Sequence, residues 1–211
     1  MSDSLPSSFF DRPTLEVAPQ LLGQILVRRF DDGRVFRGVI SEVEAYTADD
    51  PACHAFGGKK RRCEVMFGPA GHAYVYFIYG MYHCLNVVTE PDGTPGAILI
   101  RGLSNGCEDS RQVSGPGRLC RFLDIDLSFN GLPLFSDNEL LSIAPGKTPA
   151  KIFATPRIGI SKAIERLWRF TSDEPKRKRG ADEAIFALAA GPGLDGCDFR
   201  LLQSSPFGPN Y

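Results

Sequence analysis

The chain has 211 residues, 43% of them hydrophobic and 10% aromatic, enough for one compact domain with a real core. Its formal net charge of −1 gives no overall basicity of the kind that announces a nucleic-acid protein, although a basic stripe can coexist with a neutral total. Six cysteines without any Cys-x-x-Cys spacing argue against zinc, and no apolar stretch is long enough to span a bilayer, so a soluble intracellular protein with reduced thiols is expected.

Residues 1–8 are small and polar and are expected to be disordered. Leu15, Val17, Ala18, Leu21 and Leu22 fall near helical spacing, predicting a helix over Thr14–Leu22 with Asp11 as a cap and Pro19 limiting its regularity. Gln24–Phe30 reads as a strand, Asp31-Asp32-Gly33 as a tight turn, and Arg34–Tyr46 as a long returning strand. Counting by twos along that strand places Phe36, Ile40, Glu42, Glu44 and Tyr46 on one face, with Val35, Val39, Val43 and Ala45 on the other. Two acids beside Phe, Ile and Tyr are an odd composition for a solvated strand face, though an edge strand with its acids in water would show the same letters.

A turn-rich loop then leads to His54 and to the flexible basic run Lys59, Lys60, Arg61 and Arg62, which suits phosphate contacts as well as it suits a solvated loop. Residues 72–79 are mostly β-branched or aromatic and predict a strand; Gly80 and Met81 would turn it into a second, Tyr82–Thr89. Four of the six tyrosines sit in this hairpin: Tyr74 and Tyr76 share a face, while Tyr79 points away from them near the tip. Ala97–Leu103 is an apolar strand interrupted by Arg101, which calls for a carboxylate partner. Gly117–Leu123 reads as a short helix, Leu134–Ala144 as containing a strand, Pro156–Ile160 as strand-like, and Ser161–Trp168 and Ala181–Ala190 as helices. Residues 191–196 spell the letters of a dinucleotide fingerprint, but no βαβ unit can surround them so near the end, and the basic run at 176–179 reads as a solvated charged turn.

Taken together, Glu42-Val-Glu44-Ala-Tyr46, His54, the run Met66 to Tyr82, Asn86, Ile98–Arg101, Gly115–Cys120 and Arg157–Ile160 resemble the alkyladenine (3-methyladenine) DNA glycosylases. The resemblance covers residues 9–170 as one glycosylase domain and leaves 171–211 as an extension of unassigned role. It implies a single α+β domain on a curved antiparallel sheet with flanking helices, like the C-terminal domain of formyltransferases. It also implies a monofunctional hydrolase that releases alkylated purines (3-methyladenine, 7-methylguanine), and deaminated or etheno purines, from double-stranded DNA. Such an enzyme works where the DNA is, as a monomer, with no metal, cofactor, membrane or lyase step. By position, Glu44 is then the base that activates water and Arg101 its partner. Tyr46, His54, Tyr76 and Asn86 form the base pocket, and Tyr79 is the wedge that fills the vacated stack. The basic run departs from the family's usual letters, as do Ser104-Asn105 and the segment after Phe170. Two other readings compete: a nucleic-acid-binding module without chemistry, which would need neither Glu44 nor Arg101, and a sugar hydrolase using Glu42 with Glu44. The last is disfavoured because acids two apart on a strand lie on the same side of a substrate.

Overall fold

A computed structural model describes residues 4–104, 113–135 and 140–173, together with the strand backbone at 186–189 and 201–202. Among these residues the architecture is one curled antiparallel sheet with a few short helices, an α+β domain as the resemblance implied. The strands are β1 (Ile25–Arg29), β2 (Val35–Thr47), β3 (Ala73–Ile78), β4 (Tyr82–Thr89), β5 (Gly96–Ser104), β6 (Leu141–Ala144), β7 (Lys151–Thr155), β8 (Arg169–Thr171), β9 (Phe186–Ala189) and β10 (Leu201–Leu202). Their order is β10-β9-β7-β8-β2-β5-β4-β3, with β1 bridging β2 and β6.

The long strand β2 is the axis of the sheet. One edge pairs with β5; the other pairs with β1 over its first half and with β8 over Glu42–Glu44. Between the halves the ladder to β5 slips at Ile40/Glu42 and again at Glu42/Val43. That β-bulge overturns the period-2 reading of this strand. Ile40 is buried in the main core together with Val43 and Ala45, which counting by twos had put on the opposite face. The extra residue switches which parity faces inward, so Glu42, Glu44 and Tyr46 share the second face without Ile40.

The main core joins that inner face to Ala73 and Val75 of β3, Leu85 and Val87 of β4, and Ile98 and Ile100 of β5. Helix α1 (Ser7–Phe10), helix α2 (Thr14–Leu21) and helix α3 (Pro116–Phe122) cover it. Helix α2 is held at its N-terminus by Glu90, whose carboxylate accepts from the Thr14 N–H at 2.6 Å and from the Thr14 hydroxyl at 2.7 Å. Asp11 therefore does not cap it; Pro13 holds the capping position and offers no side-chain acceptor. The chain is seated from Ser4 onward: Leu5 is buried and its N–H donates to Ile143, where composition alone suggested a loose end.

Of two expected helices, the one at 161–168 is absent and the one at 181–190 lies largely outside the described residues. Residues 156–168 form turns and extended chain, and the strand expected at 156–160 lies instead at Lys151–Thr155. Long-range ties to Ala45, Glu44, Asp49 and Asp50 set this segment's path, and they outweigh its local helical rhythm. The helix expected at 181–190 gives way at Phe186–Ala189 to β9, paired with β7; the rest of that span lies outside the described residues.

Candidate active site

Alternation on β3, β4 and β5 decides what faces away from the main core. The register sets Tyr74 beside Asn86, Asn86 beside Leu99, Leu99 beside Glu44, and Glu44 beside Arg169, a row crossing five strands. Beneath part of this face a second, smaller cluster packs Cys53, Ala55, Cys63, Met66, Tyr74, Val88 and Ala97, with Tyr46 and Tyr76 against it. The same face opens into a cavity of about 700 Å³, a size suited to a small ligand or a single extruded nucleotide. Tyr46, His54, Tyr76, Asn86, Arg101 and Tyr79, all expected site residues, line it.

Glu44 is fully buried behind the cavity wall. One carboxylate oxygen, Oε1, accepts from the backbone N–H of Ile158 at 2.7 Å. The other, Oε2, accepts from the Tyr46 hydroxyl at 2.9 Å and from Arg101 Nη1 at 3.3 Å. All three donors belong to residues of the cavity wall. Burying a carboxylate is costly unless donors and an opposite charge replace water, and here both are present. Burial works against the Arg101 charge, but Glu44 and then Glu42 more than offset it, so its proton is held above the ordinary guanidinium range. The Tyr46 phenol is likewise held well above its usual value, first by burial and then by the Glu44 carboxylate, so it stays a donor.

The aromatic wall is built on β3. The rings of Tyr74 and Tyr76 lie 5.5 Å apart at 37°, and His54 meets Tyr76 edge-on at 4.6 Å. His54 Nδ1 and the Tyr74 hydroxyl are hydrogen-bonded at 2.8 Å. Burial, then Arg62 and Lys60, push the His54 pKa down to about 4, so this imidazole is neutral at pH 7. Asn86 is buried, and its amide donates to the Tyr74 carbonyl at 2.9 Å.

At the tip of the β3–β4 hairpin, Tyr79 and Gly80 both have positive φ, +54° and +67°, and Met81 N–H closes the turn on Ile78 O at 3.3 Å. The turn is thus centred on Tyr79-Gly80, one residue earlier than expected. Because the left-handed backbone interrupts strand alternation, Tyr79 borders the same cavity as Tyr76 instead of pointing away from it. It remains 76% exposed. A non-glycine residue at such a φ costs roughly 1–3 kcal/mol, a strain that gathers at functional sites.

The basic residues Lys59, Lys60, Arg61 and Arg62 are exposed to solvent beside the cavity wall, with Lys59 paired to Glu64 at 3.1 Å. They are less loose than their sequence suggests, since a 3-10 turn begins at Arg61. Arg118 and Lys162, on other elements, border the cavity as well; sequence reading did not single them out. Nor did it find the Ile158 N–H, because a backbone donor leaves no letter. It also missed the pair of Arg157 with Asp50. Both side chains are fully sealed, Arg157 Nη2 donates to Asp50 Oδ1 at 3.0 Å, and Nη1 donates to Asp50 Oδ2 and to the Ala45 carbonyl. Tyr46 and Trp168 pack on this guanidinium, at 4.7 and 5.2 Å from their ring centres.

Residues 8–176 match the family model for methylpurine-DNA glycosylase. The chain belongs to that family. Two relatives from Wolbachia, of Brugia malayi and of Culex pipiens, are 50% and 49% identical to it. Those alignments cover 80% and 82% of this chain and 97% and 93% of the relatives. A relative from Synechococcus is 46% identical over 77% of this chain and 92% of its own. All three carry the provisional name 3-methyladenine DNA glycosylase. The family is one of DNA repair by excision of damaged bases, and the cavity with its buried carboxylate lies within the matched span.

Proposed function

We propose that this glycosylase hydrolyses the N-glycosidic bond of 3-methyladenine, 7-methylguanine and related purines in duplex DNA, after turning the damaged nucleotide out of the helix. The observation that carries the reading is the Glu44 carboxylate, buried behind the wall of an aromatic cavity and held by three residues of that wall, Ile158, Tyr46 and Arg101. A base inside a duplex is out of reach, so the nucleotide must be extruded at a cost of a few kcal/mol of unstacking. Tyr79, presented at a hairpin tip on the rim of the cavity, is placed to refill the stack from the minor groove. Exposed Lys59, Lys60, Arg61 and Arg62, with Arg118 and Lys162, are suited to the phosphates alongside.

In the chemical step the oxygen of a water joins C1′ of the sugar as the bond from C1′ to the purine nitrogen breaks. The purine leaves with the bonding pair, and the water's surplus proton passes to Glu44. A purine alkylated at N3 or N7 is cationic and departs neutral, so it needs no proton from the protein. One carboxylate then suffices where ordinary glycosidases use two. The cation also favours the walls of Tyr46, Tyr76 and His54, by roughly 0.5–2 kcal/mol for each well-placed ring. Neutral lesions such as hypoxanthine would need a proton delivered to the leaving base and fit this arrangement less directly.

The test is base release from duplexes each bearing one defined lesion. Glu44→Gln is expected to abolish release while leaving affinity for an abasic-site analogue largely intact; near-normal excision by that variant would overturn the reading. Lys162 brings an amine to the cavity lining, so the route can be checked directly. Borohydride trapping on damaged DNA is expected to give no protein–DNA adduct, and a trapped adduct would replace direct hydrolysis with a Schiff-base route.

A further inference from the structure

Glu42 sits two residues before Glu44, and its carboxylate Oε1 accepts from two arginines at once: Arg101 Nε at 3.0 Å and Arg169 Nε at 2.7 Å. Arg169 is braced in turn by Thr155, whose hydroxyl accepts from Nη1 at 2.8 Å. The charges form an alternating chain, Glu44, Arg101, Glu42, Arg169, in which two carboxylates balance two guanidiniums. Arg101 is its middle link, and its contact with Glu44 is a single long bond, 3.3 Å from Nη1 alone.

That geometry is not the one an arginine and a carboxylate adopt when left to themselves, which is the two-bond fork. Glu42 holds Nε away from Glu44 and so prevents the fork from closing. Were it to close, the guanidinium would occupy the carboxylate face and the space in which a water must stand. Glu42 shares the face of Glu44 because the two are two residues apart on β2, and the bulge beside them sets that face away from the main core. Gly102 across the ladder leaves the room: a Cβ there would stand 3.2 Å from the Glu42 Cβ.

We propose that Glu42 is a positioning residue, a counter-ion that keeps Arg101 turned partly away from Glu44 so that a two-bond fork does not close over the buried catalytic carboxylate. This rests on the reading of Glu44 as the base. It assigns Glu42 a role other than that of a second catalytic acid, because Glu42 acts through Arg101 from behind the cavity wall.

The experiment is a double-mutant cycle on single-turnover release of 3-methyladenine or 7-methylguanine from duplex DNA, with affinity for an abasic-site analogue and thermal melting measured alongside. Glu42→Gln is expected to slow release on the order of ten- to a hundred-fold, the scale for a misplaced catalytic group, with analogue affinity changed less than threefold. Because Glu42 works through Arg101, Glu42→Gln added to Arg101→Gln should cause no further loss. Glu42→Asp, which keeps the charge on a shorter stem, should recover part of the rate. A Glu42→Gln rate within twofold of the parent, or losses that multiply in the double variant, would overturn the proposal. Should Glu42→Gln fail to fold, Glu42→Asp carries the test by itself: a slowed rate at unchanged affinity supports the role and a parental rate refutes it. Glu44→Gln, run in parallel, separates the two readings. If it still excises, the base assignment falls; if it is inactive while Glu42→Gln is unimpaired, only the role of Glu42 falls.

Discussion

The molecule contains two arginine–carboxylate systems with buried carboxylates, and they are built to opposite plans. Arg157 meets Asp50 with both terminal nitrogens, neither side chain is exposed, and aromatic rings pack on the guanidinium. Arg101 divides itself between two carboxylates, borders a cavity, and touches Glu44 through one nitrogen. The first arrangement commits both terminal nitrogens to the fold, while the sealed Nε finds no partner among the described residues. It ties the end of β2, the Asp50 loop and the 157–158 segment into one piece, and thereby fixes where the Ile158 N–H meets Glu44. The second leaves directions unused, and these are what a reacting group needs. Of two ion pairs made from the same chemical groups, one is sealed on both sides and the other has its guanidinium on a cavity wall.

The contrast can be broken by removing one charge at a time. Asp50→Asn strands a sealed guanidinium, and such a loss costs about 3–5 kcal/mol. Urea unfolding followed by the fluorescence of Trp168, the chain's one tryptophan and a neighbour of Arg157, should show the midpoint falling accordingly. Arg101→Gln should divide its effect the other way. We expect release of 3-methyladenine to slow about a hundred-fold, the range for a group that stabilises the reacting charge, with a much smaller shift in the unfolding midpoint. Equal losses of stability in the two variants would erase the distinction.

Two further outcomes sharpen it at the rim of the cavity. Tyr79→Ala should weaken binding to lesion duplexes by about 1–3 kcal/mol, the scale of base–aromatic stacking, and slow excision from them. Excision from single-stranded lesion DNA should suffer far less, since no stack is left to fill, and the fold should survive because the ring is 76% exposed. Equal effects on both substrates would make Tyr79 structural. The last outcome concerns His54. Its folded pKa of about 4 lies below the ordinary 6.5, so between those values the unfolded chain binds the extra proton. The stability from this site is therefore complete above pH 6.5 and lost as pH falls toward 4. Parent and His54→Gln should show stability curves that converge over that window, and parallel curves would count against the burial of the imidazole.

Much of this was legible in the sequence, and the failures have physical causes. The aromatic hairpin, β5 with its lone Arg101, and the pairing of β1 with β2 follow from period-2 patterning and turn residues. Tyr46, His54, Tyr76, Asn86, Tyr79 and Arg101 do line one cavity, and Glu44 is hydrogen-bonded to two of them, Tyr46 and Arg101. The β2 bulge could not be read, because counting by twos presumes an uninterrupted ladder; Ile40 was placed beside the acids for that reason. Segment 156–168 was misread because its path is set by partners more than a hundred residues away, which leave no periodicity. The strain at Tyr79 escaped notice for a simpler reason: turn residues are assigned by preference, and preference put the bend on Gly80-Met81.

The span between Glu44 and Ile158 also has a consequence in time. The carboxylate and the backbone N–H that holds it are 114 residues apart, and the strand that seals the other edge of β2, β8, lies later still. Contacts of such separation form late, after the chain's local hairpins. At typical rates of synthesis, roughly ten seconds pass on the ribosome between the making of Glu44 and of Ile158. Through that interval the aromatic hairpin can fold and offer its tyrosines to nucleic acid while the carboxylate lacks its backbone donor. A chain truncated before Arg157 should accordingly release no base.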